Sequence, residues 1–181
     1  MKLLFRLSST LLVSTFIFNF SFSQTTIKSE STDAIAHFNY ISEETKGEIN
    51  KIKCSVSIDT LNIKNSKAEG VAQVDLLSTS NAVRDKHLKS KTYFNLKLFP
   101  EITFSANEFV LTKSENDSIA PVKCKGTLTL KGFKKPVTFD VYFTETQIIF
   151  KTEIYADDFG VAIKPGKENS LVELEIITER N

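Results

Sequence analysis

Val122-Lys123-Cys124-Lys125-Gly126-Thr127-Leu128-Thr129-Leu130, then Lys131-Gly132-Phe133-Lys134-Lys135-Pro136, then Val137-Thr138-Phe139-Asp140-Val141-Tyr142-Phe143, is the stretch that decides the fold. On both sides of the Gly- and Pro-bearing connection, apolar residues return at every second position. That spacing puts one face of an extended chain in a dry interior and the other in water. Two such runs joined so briefly read as antiparallel neighbours. The same period recurs outward in both directions, in Ile52, Cys54, Val56 and Ile58, in Ala72, Val74 and Leu76, and in Ile102, Phe104 and Ala106. It continues in Ile148, Phe150, Thr152 and Ile154 and in Val172, Leu174 and Ile176. A weaker run from Asp33 to Ile41 brings the strands to eight. One-sided alternation repeated this often predicts an all-β, antiparallel barrel or sandwich around one interior. In the Ile102 strand the apolar face moves from Phe104 and Ala106 to Phe109 and Leu111, which predicts a bulge near Asn107.

Composition fits a single packed domain. Of 181 residues, 41% are apolar and 25% charged, which excludes a disordered, collagen-like or cysteine-scaffold chain. Lys plus Arg number 23 against 22 Asp plus Glu, a net charge of +1, so no broad field steers the whole chain onto nucleic acid or an anionic bilayer. The first residues read as a leader. Lys2 and Arg6 precede an apolar run from Leu11 to Phe22, and Ser21-Phe22-Ser23 has the small-x-small pattern of a signal-peptidase site. The expectation is a signal peptide over 1–23, cleavage after Ser23, and one domain over 24–181. The apolar run is shorter than the roughly 20 residues of a membrane-crossing helix, and no Cys follows it to carry a lipid anchor. The mature chain is thus expected in a periplasmic or extracellular space, without an integral membrane span.

Residues 80–99, SNAVRDKHLKSKTYFNLKLF, break the period of two. Ser80 or Asn81 is placed to cap a short helix through Arg84, His87 and Leu88, between the third and fourth strands. Arg84, His87 and Leu88 share a helical face, while Asp85 faces Lys89. A guanidinium, an imidazole and helix amides gathered in one place suit a phosphate or other anion. Asn81, Arg84, Asp85 and His87 are the candidate head-group contacts, and a structural plug on the barrel rim is the competing reading.

The run Asn81-Ala82-Val83-Arg84-Asp85-Lys86-His87-Leu88-Lys89-Ser90, then Tyr93-Phe94-Asn95 and Phe99-Pro100-Glu101-Ile102-Thr103-Phe104, resembles the signature of the YceI-like family. The likeness continues through Gly126–Gly132, Lys135-Pro136-Val137 and Asp158-Phe159-Gly160. The resemblance implies an eight-stranded antiparallel, lipocalin-like barrel that holds a long isoprenoid or similar amphiphile, such as a polyprenyl phosphate, a quinone or a fatty amphiphile, in an apolar cavity. The sequence departs from the family pattern in three places. Asp33-Ala34-Ile35-Ala36-His37-Phe38 stands where a His-Ser-x-Val-x-Phe run is usual, and the hairpin Thr144-Glu145-Thr146-Gln147 and the connection 161–170 are short. The expected tail cavity is lined by Phe38, Val74, Leu76, Phe104, Ala106, Leu128, Phe139, Val141, Phe150 and Ile154. Small inward residues, Ala72, Ala106, Cys124 and Gly126, are read as leaving space.

The remaining reactive residues give little. His37 and His87 lack metal-ligand spacing, so no metal site is expected. Cys54 and Cys124 face inward, and either a disulfide or two free thiols would fit; strands far apart in the order favour the thiols. Asn116-Asp117-Ser118 matches a glycosylation sequon. No nucleophile elbow, phosphate loop or metal spacing points to catalysis, and no cofactor is required. The reading is a lipid-binding protein with a carrier, storage or stress-related role, with a homodimer left open. The alternatives are a filled barrel serving as a structural or partner-binding module, and an enzyme using His87 and Arg84.

Overall fold

The structure, a computed structural model, describes residues 26–112, 122–161 and 163–180. The expected leader and the Asn116 sequon lie outside the described residues. Strand β1 (Thr26–Tyr40) turns through a 3-10 segment at Ile41–Glu43 into β2 (Thr45–Asp59). β3 (Lys67–Gln73), the two-residue β4 (Leu77–Ser78), helix α1 (Ala82–Leu88) and β5 (Glu101–Leu111) follow. The chain ends with β6 (Val122–Leu130), β7 (Phe133–Phe143), β8 (Gln147–Tyr155) and β9 (Leu171–Glu179). Each long strand pairs antiparallel with its sequence neighbours, and β9 returns to β1, so β1-β2-β3-β5-β6-β7-β8-β9 closes into a ring. This is a closed eight-stranded antiparallel barrel with one helix, and β4 is a rim piece on β2, opposite Glu48 and Ile49.

Local chemistry explains how the ring closes. Lys131 (φ 50°) and Gly132 (φ 78°) form a two-residue turn with Leu130 opposite Phe133, the geometry whose twist matches flanking strands. The turn is shorter than the Lys131–Pro136 connection read from sequence, since β7 begins at Phe133 and carries Pro136 opposite Thr127. In β5 the ladder passes from Ala106 opposite Gly126 to Glu108 opposite Lys125, leaving Asn107 as a bulge where the apolar face switches. A bulge in β2 works similarly. Lys51 takes φ 56° between Ile49, opposite Ala36, and Ile52, opposite Ala34, so both isoleucines stay inside.

The third strand is a correction. Ala72, Val74 and Leu76 do not form one continuous run, because Val74–Leu76 is a 3-10 turn whose first N–H donates to Pro100 O at 2.8 Å. This jog ends β3 early and sends the chain toward α1 across the barrel end.

The two ends of the barrel differ. At the end where β6 begins, Phe109, Val122, Cys124, Val141 and Ile148 are buried and fill the interior. Above them Phe139 meets Phe104 and Phe150 edge to face, with ring centroids 4.9 and 6.1 Å apart. At the opposite end, Leu77 and Leu88 join Ile49, Ile52 and Ala72 in a second cluster beneath α1.

Candidate functional site

Between the packed end and α1 lies an interior cavity of about 180 Å³. Its wall is almost wholly apolar. Phe38, Phe104, Leu128, Phe139, Phe150 and Ile154 line it, as read from sequence. Four other expected lining residues stand away from it. Val74 and Leu76 are carried off by the 3-10 turn. Val141, opposite Val122, lies in the packed end, and Ala106, buried opposite Gly126, does not line the cavity. Nor does Gly126 leave space, because a Cβ there would sit 2.7 Å from Ala106 Cβ and 2.7 Å from Phe104 Cζ. The ring of Phe104 already occupies that volume.

The roof of the cavity was partly missed. Leu77, Leu88 and Phe94 close it from above, and Leu88 is buried on the helical face it shares with Arg84. The segment after α1 is wound tightly enough to act as a lid. Asn95, at φ 52°, donates its N–H to Ser90 O at 2.8 Å, and Asn95 O accepts from the amides of Leu98 and Phe99. The lid is strapped to the β6–β7 turn, where Lys131 Nζ donates to Thr92 O at 3.0 Å and to Gly160 O at 2.6 Å. Phe99 lies on the same turn, since a Cβ on Gly132 would stand 2.8 Å from its ring. A lysine beside a turn glycine gave no sequence signal for this role.

Arg84 and Asp85 are largely spent on fastening α1. Arg84 donates from Nε to Thr79 Oγ1 at 2.8 Å, from Nη2 to Thr79 O at 3.0 Å and from Nη1 to Thr45 Oγ1 at 3.4 Å. Asp85 accepts from Thr79 N at 2.8 Å and from Thr79 Oγ1. Asn81 Oδ1 accepts from the amides of Val83 and Arg84, so these helix donors are capped by the protein itself. His87 does not reach the cavity. It is exposed and meets Tyr93 edge to face at 5.5 Å.

Cys54 and Cys124 are free thiols on β2 and β6, with β3 and β5 between them in the ring. Cys54 is half-buried on the cavity wall and donates to Thr178 Oγ1 at 3.2 Å. Thr178 in turn bonds Ser29 at 2.8 Å, a small polar spot low in the cavity. Cys124 is wholly buried, and burial pushes its thiol up to about 12. His37 points outward, 3.9 Å from Glu48. Among the described residues no group of three His, Cys, Asp or Glu is arranged to hold a metal, and no helix is long and apolar enough to cross a membrane.

Known proteins share this architecture. A UPF0312 protein of Yersinia pestis (strain Pestoides F) is 34% identical over 98 residues, 54% of this chain and 48% of that protein, so the match spans about half the length of this curated relative. A UPF0312 protein of Shewanella denitrificans is 25% identical over 156 residues, covering 81% of this chain and 78% of its own. Among solved structures, Burkholderia cenocepacia BcnA superposes with a TM-score of 0.60 at 19% identity, over 82% of this chain and 94% of that one. A Campylobacter jejuni YceI protein gives 0.62 at 21% identity, over 75% and 83%. A polyisoprenoid binding domain from Saccharophagus degradans gives 0.54 at 14% identity, over 86% and 97%. The YceI-like domain profile matches residues 19–179, and with the barrel and its lid segment in view the chain belongs to the YceI-like domain family.

Proposed function

We propose that this chain is a binding protein for an isoprenoid or similar amphiphilic lipid, held tail first inside the barrel. The observation that carries the reading is a closed strand wall around an apolar cavity, packed shut at one end and roofed at the other by Leu77, Leu88 and Phe94. Apolar burial supplies affinity at about 0.8 kcal/mol per methylene without regard to head group. The family membership and the fold shared with a domain named for polyisoprenoid binding support the same class of ligand.

Size sharpens the proposal. A cavity of about 180 Å³ is near the roughly 150 Å³ that accepts one benzene, and below the roughly 300 Å³ at which ordinary ligand sites begin. The closed form therefore holds a short terminal piece of tail, and a longer chain enters by lifting Leu88 and Phe94. The head stays at the lid. Arg84 has five N–H donors and uses three on Thr79 and Thr45, leaving two for a phosphate, a carboxylate or a quinone oxygen. Asn81 and Asp85 support that contact by holding the helix, and His87 borders it from outside. With the leader removed, the protein works as a periplasmic or extracellular carrier or store, without a cofactor and without catalysis.

Mass spectrometry of the organic extract of protein purified from its producing cells tests this directly. The expected result is an isoprenoid or other long-chain amphiphile in stoichiometric amount, whose return to the stripped protein protects Cys54 from a thiol reagent. An extract free of lipid, with Cys54 labelling untouched by any tail, overturns the proposal in favour of a filled structural barrel.

A further inference from the structure

We infer that the lidded end of the barrel docks on the surface of an anionic lipid bilayer. The inference builds on the cavity being a lipid site. The near-neutral balance of the chain hides a strong local excess at this end. Net charge is +1, yet residues 79–99 and 131–135 hold eight Lys and Arg, at 84, 86, 89, 91, 97, 131, 134 and 135, against the carboxylate of Asp85. Arg84, Lys89 and Lys131 are occupied within the fold, on Thr79, Asp75 O and the Thr92 and Gly160 carbonyls. Lys86, Lys91, Lys97 and Lys134 are exposed, and among the described residues they have no ion pair.

Two contacts make one face of the two segments. Lys131 Nζ reaches Thr92 O, and Phe99 packs on Gly132, so residues 91–99 lie against the β6–β7 turn and the start of β7. Large apolar side chains stand exposed among these lysines, Leu98 at 65% and Phe133 at 48%, with Val83 at 82% on α1. Cationic groups with protruding apolar ones suit a bilayer interface, where ammonium groups meet lipid phosphates and the apolar tips enter the headgroup boundary. An acidic protein would match the lysines but gives no reason for apolar tips at the roof of a lipid cavity. Of the acidic groups at this end, Glu43 pairs with Lys164 and Asp158 with Lys167, and Glu44, Asp157 and Glu168 fall in the β1–β2 and β8–β9 connections, the second of which touches the basic face where Lys131 reaches Gly160 O. The lysines of the basic face stand on the β3–β5 connection, the β6–β7 turn and the start of β7.

Flotation with vesicles of phosphatidylcholine, alone or mixed with phosphatidylglycerol, tests the inference. The protein should float with the mixed vesicles only, and less so at high salt, where charges are screened beyond about 3 Å. Each lysine near an anionic surface contributes roughly a fivefold factor, so the combined variant Lys91→Gln, Lys97→Gln and Lys134→Gln should lose roughly a hundredfold in partitioning. Leu98→Ser with Phe133→Ser should also weaken flotation. Protection of Cys54 by a tail should persist in the lysine variant, which shows that the barrel is intact. Equal flotation with both vesicle types, wild-type flotation by the lysine variant, or capture by polyglutamate but not by mixed vesicles overturns the inference. Flotation without tail protection in the wild type supports docking while removing the lipid-cavity reading.

Discussion

Arg84 Nε donates to Thr79 Oγ1 across 2.8 Å, and the same hydroxyl donates onward to Asp85 Oδ1, so one threonine ahead of the helix holds both Arg84 and Asp85 of α1. Arg84→Ala removes three hydrogen bonds from the lid and should lower stability by about 1–3 kcal/mol, read as a shift of the urea midpoint. It should also weaken an anionic amphiphile at least roughly tenfold more than a neutral analogue. Equal losses for the two ligands would make Arg84 a lid fastening alone.

Cavity filling should be done at Ala72. Ala106 is buried against Gly126 and does not line the cavity, so a larger side chain there would overpack the core rather than take up free volume. Ala72 is buried and lines the cavity. Ala72→Phe should leave the barrel folded, exclude anionic and neutral tails alike, and end ligand protection of Cys54. Unchanged binding in this variant would place the ligand outside the barrel.

Alkaline stability should depend on Cys124. Its thiol is raised by burial from 9.0 to about 12, so between these values the unfolded chain releases a proton that the folded chain keeps. Stability is therefore full below pH 9 and falls as pH rises, by up to about 1.4 kcal/mol per pH unit from this group. Urea unfolding from pH 8 to 11 should show a steeper decline for the wild type than for Cys124→Ala, with lysines and tyrosines common to both. Parallel curves would contradict it.

Gly132→Ala should loosen the lid. The position has φ 78°, which costs a side-chain-bearing residue about 1–2 kcal/mol, and the new methyl would press on Phe99 at 2.8 Å. Thiol labelling of Cys54 should quicken, while Cys124 stays unreactive in the native state. Labelling at the wild-type rate would show that the β6–β7 turn does not hold the roof.

The walls of the barrel were legible because each strand has one dry face, and the period of two reports that directly, down to the bulge at Asn107. What periodicity lacks is height along the barrel. Phe104 and Ala106 alternate in phase, yet the first lines the cavity and the second is buried beside Gly126 and off it, because alternation reports a face and not what stands over it. Val74 was misplaced for a different reason: a single 3-10 turn preserves apolar spacing while turning the side chain elsewhere. The α1 segment was recognisable as the unusual element, and its Asn81 cap was readable. The use of Arg84 on Thr79 and Thr45 was not, since Thr45 is 39 residues away in sequence.

On the lipid-binding function proposed above, the joining of β9 to β1 also governs how ligands trade places. A ring of strands has no edge to peel, and the end filled by Phe109, Cys124 and Ile148 gives no second way through the described residues. With entry at the lidded end, as the proposed lipid binding has it, traffic is single file. A newcomer cannot push an occupant out from behind or slip in alongside it, so the resident must leave before the next enters. The release rate in a chase experiment should be the same at any excess of competitor, set by the lifting of Leu88 and Phe94 rather than by what waits outside.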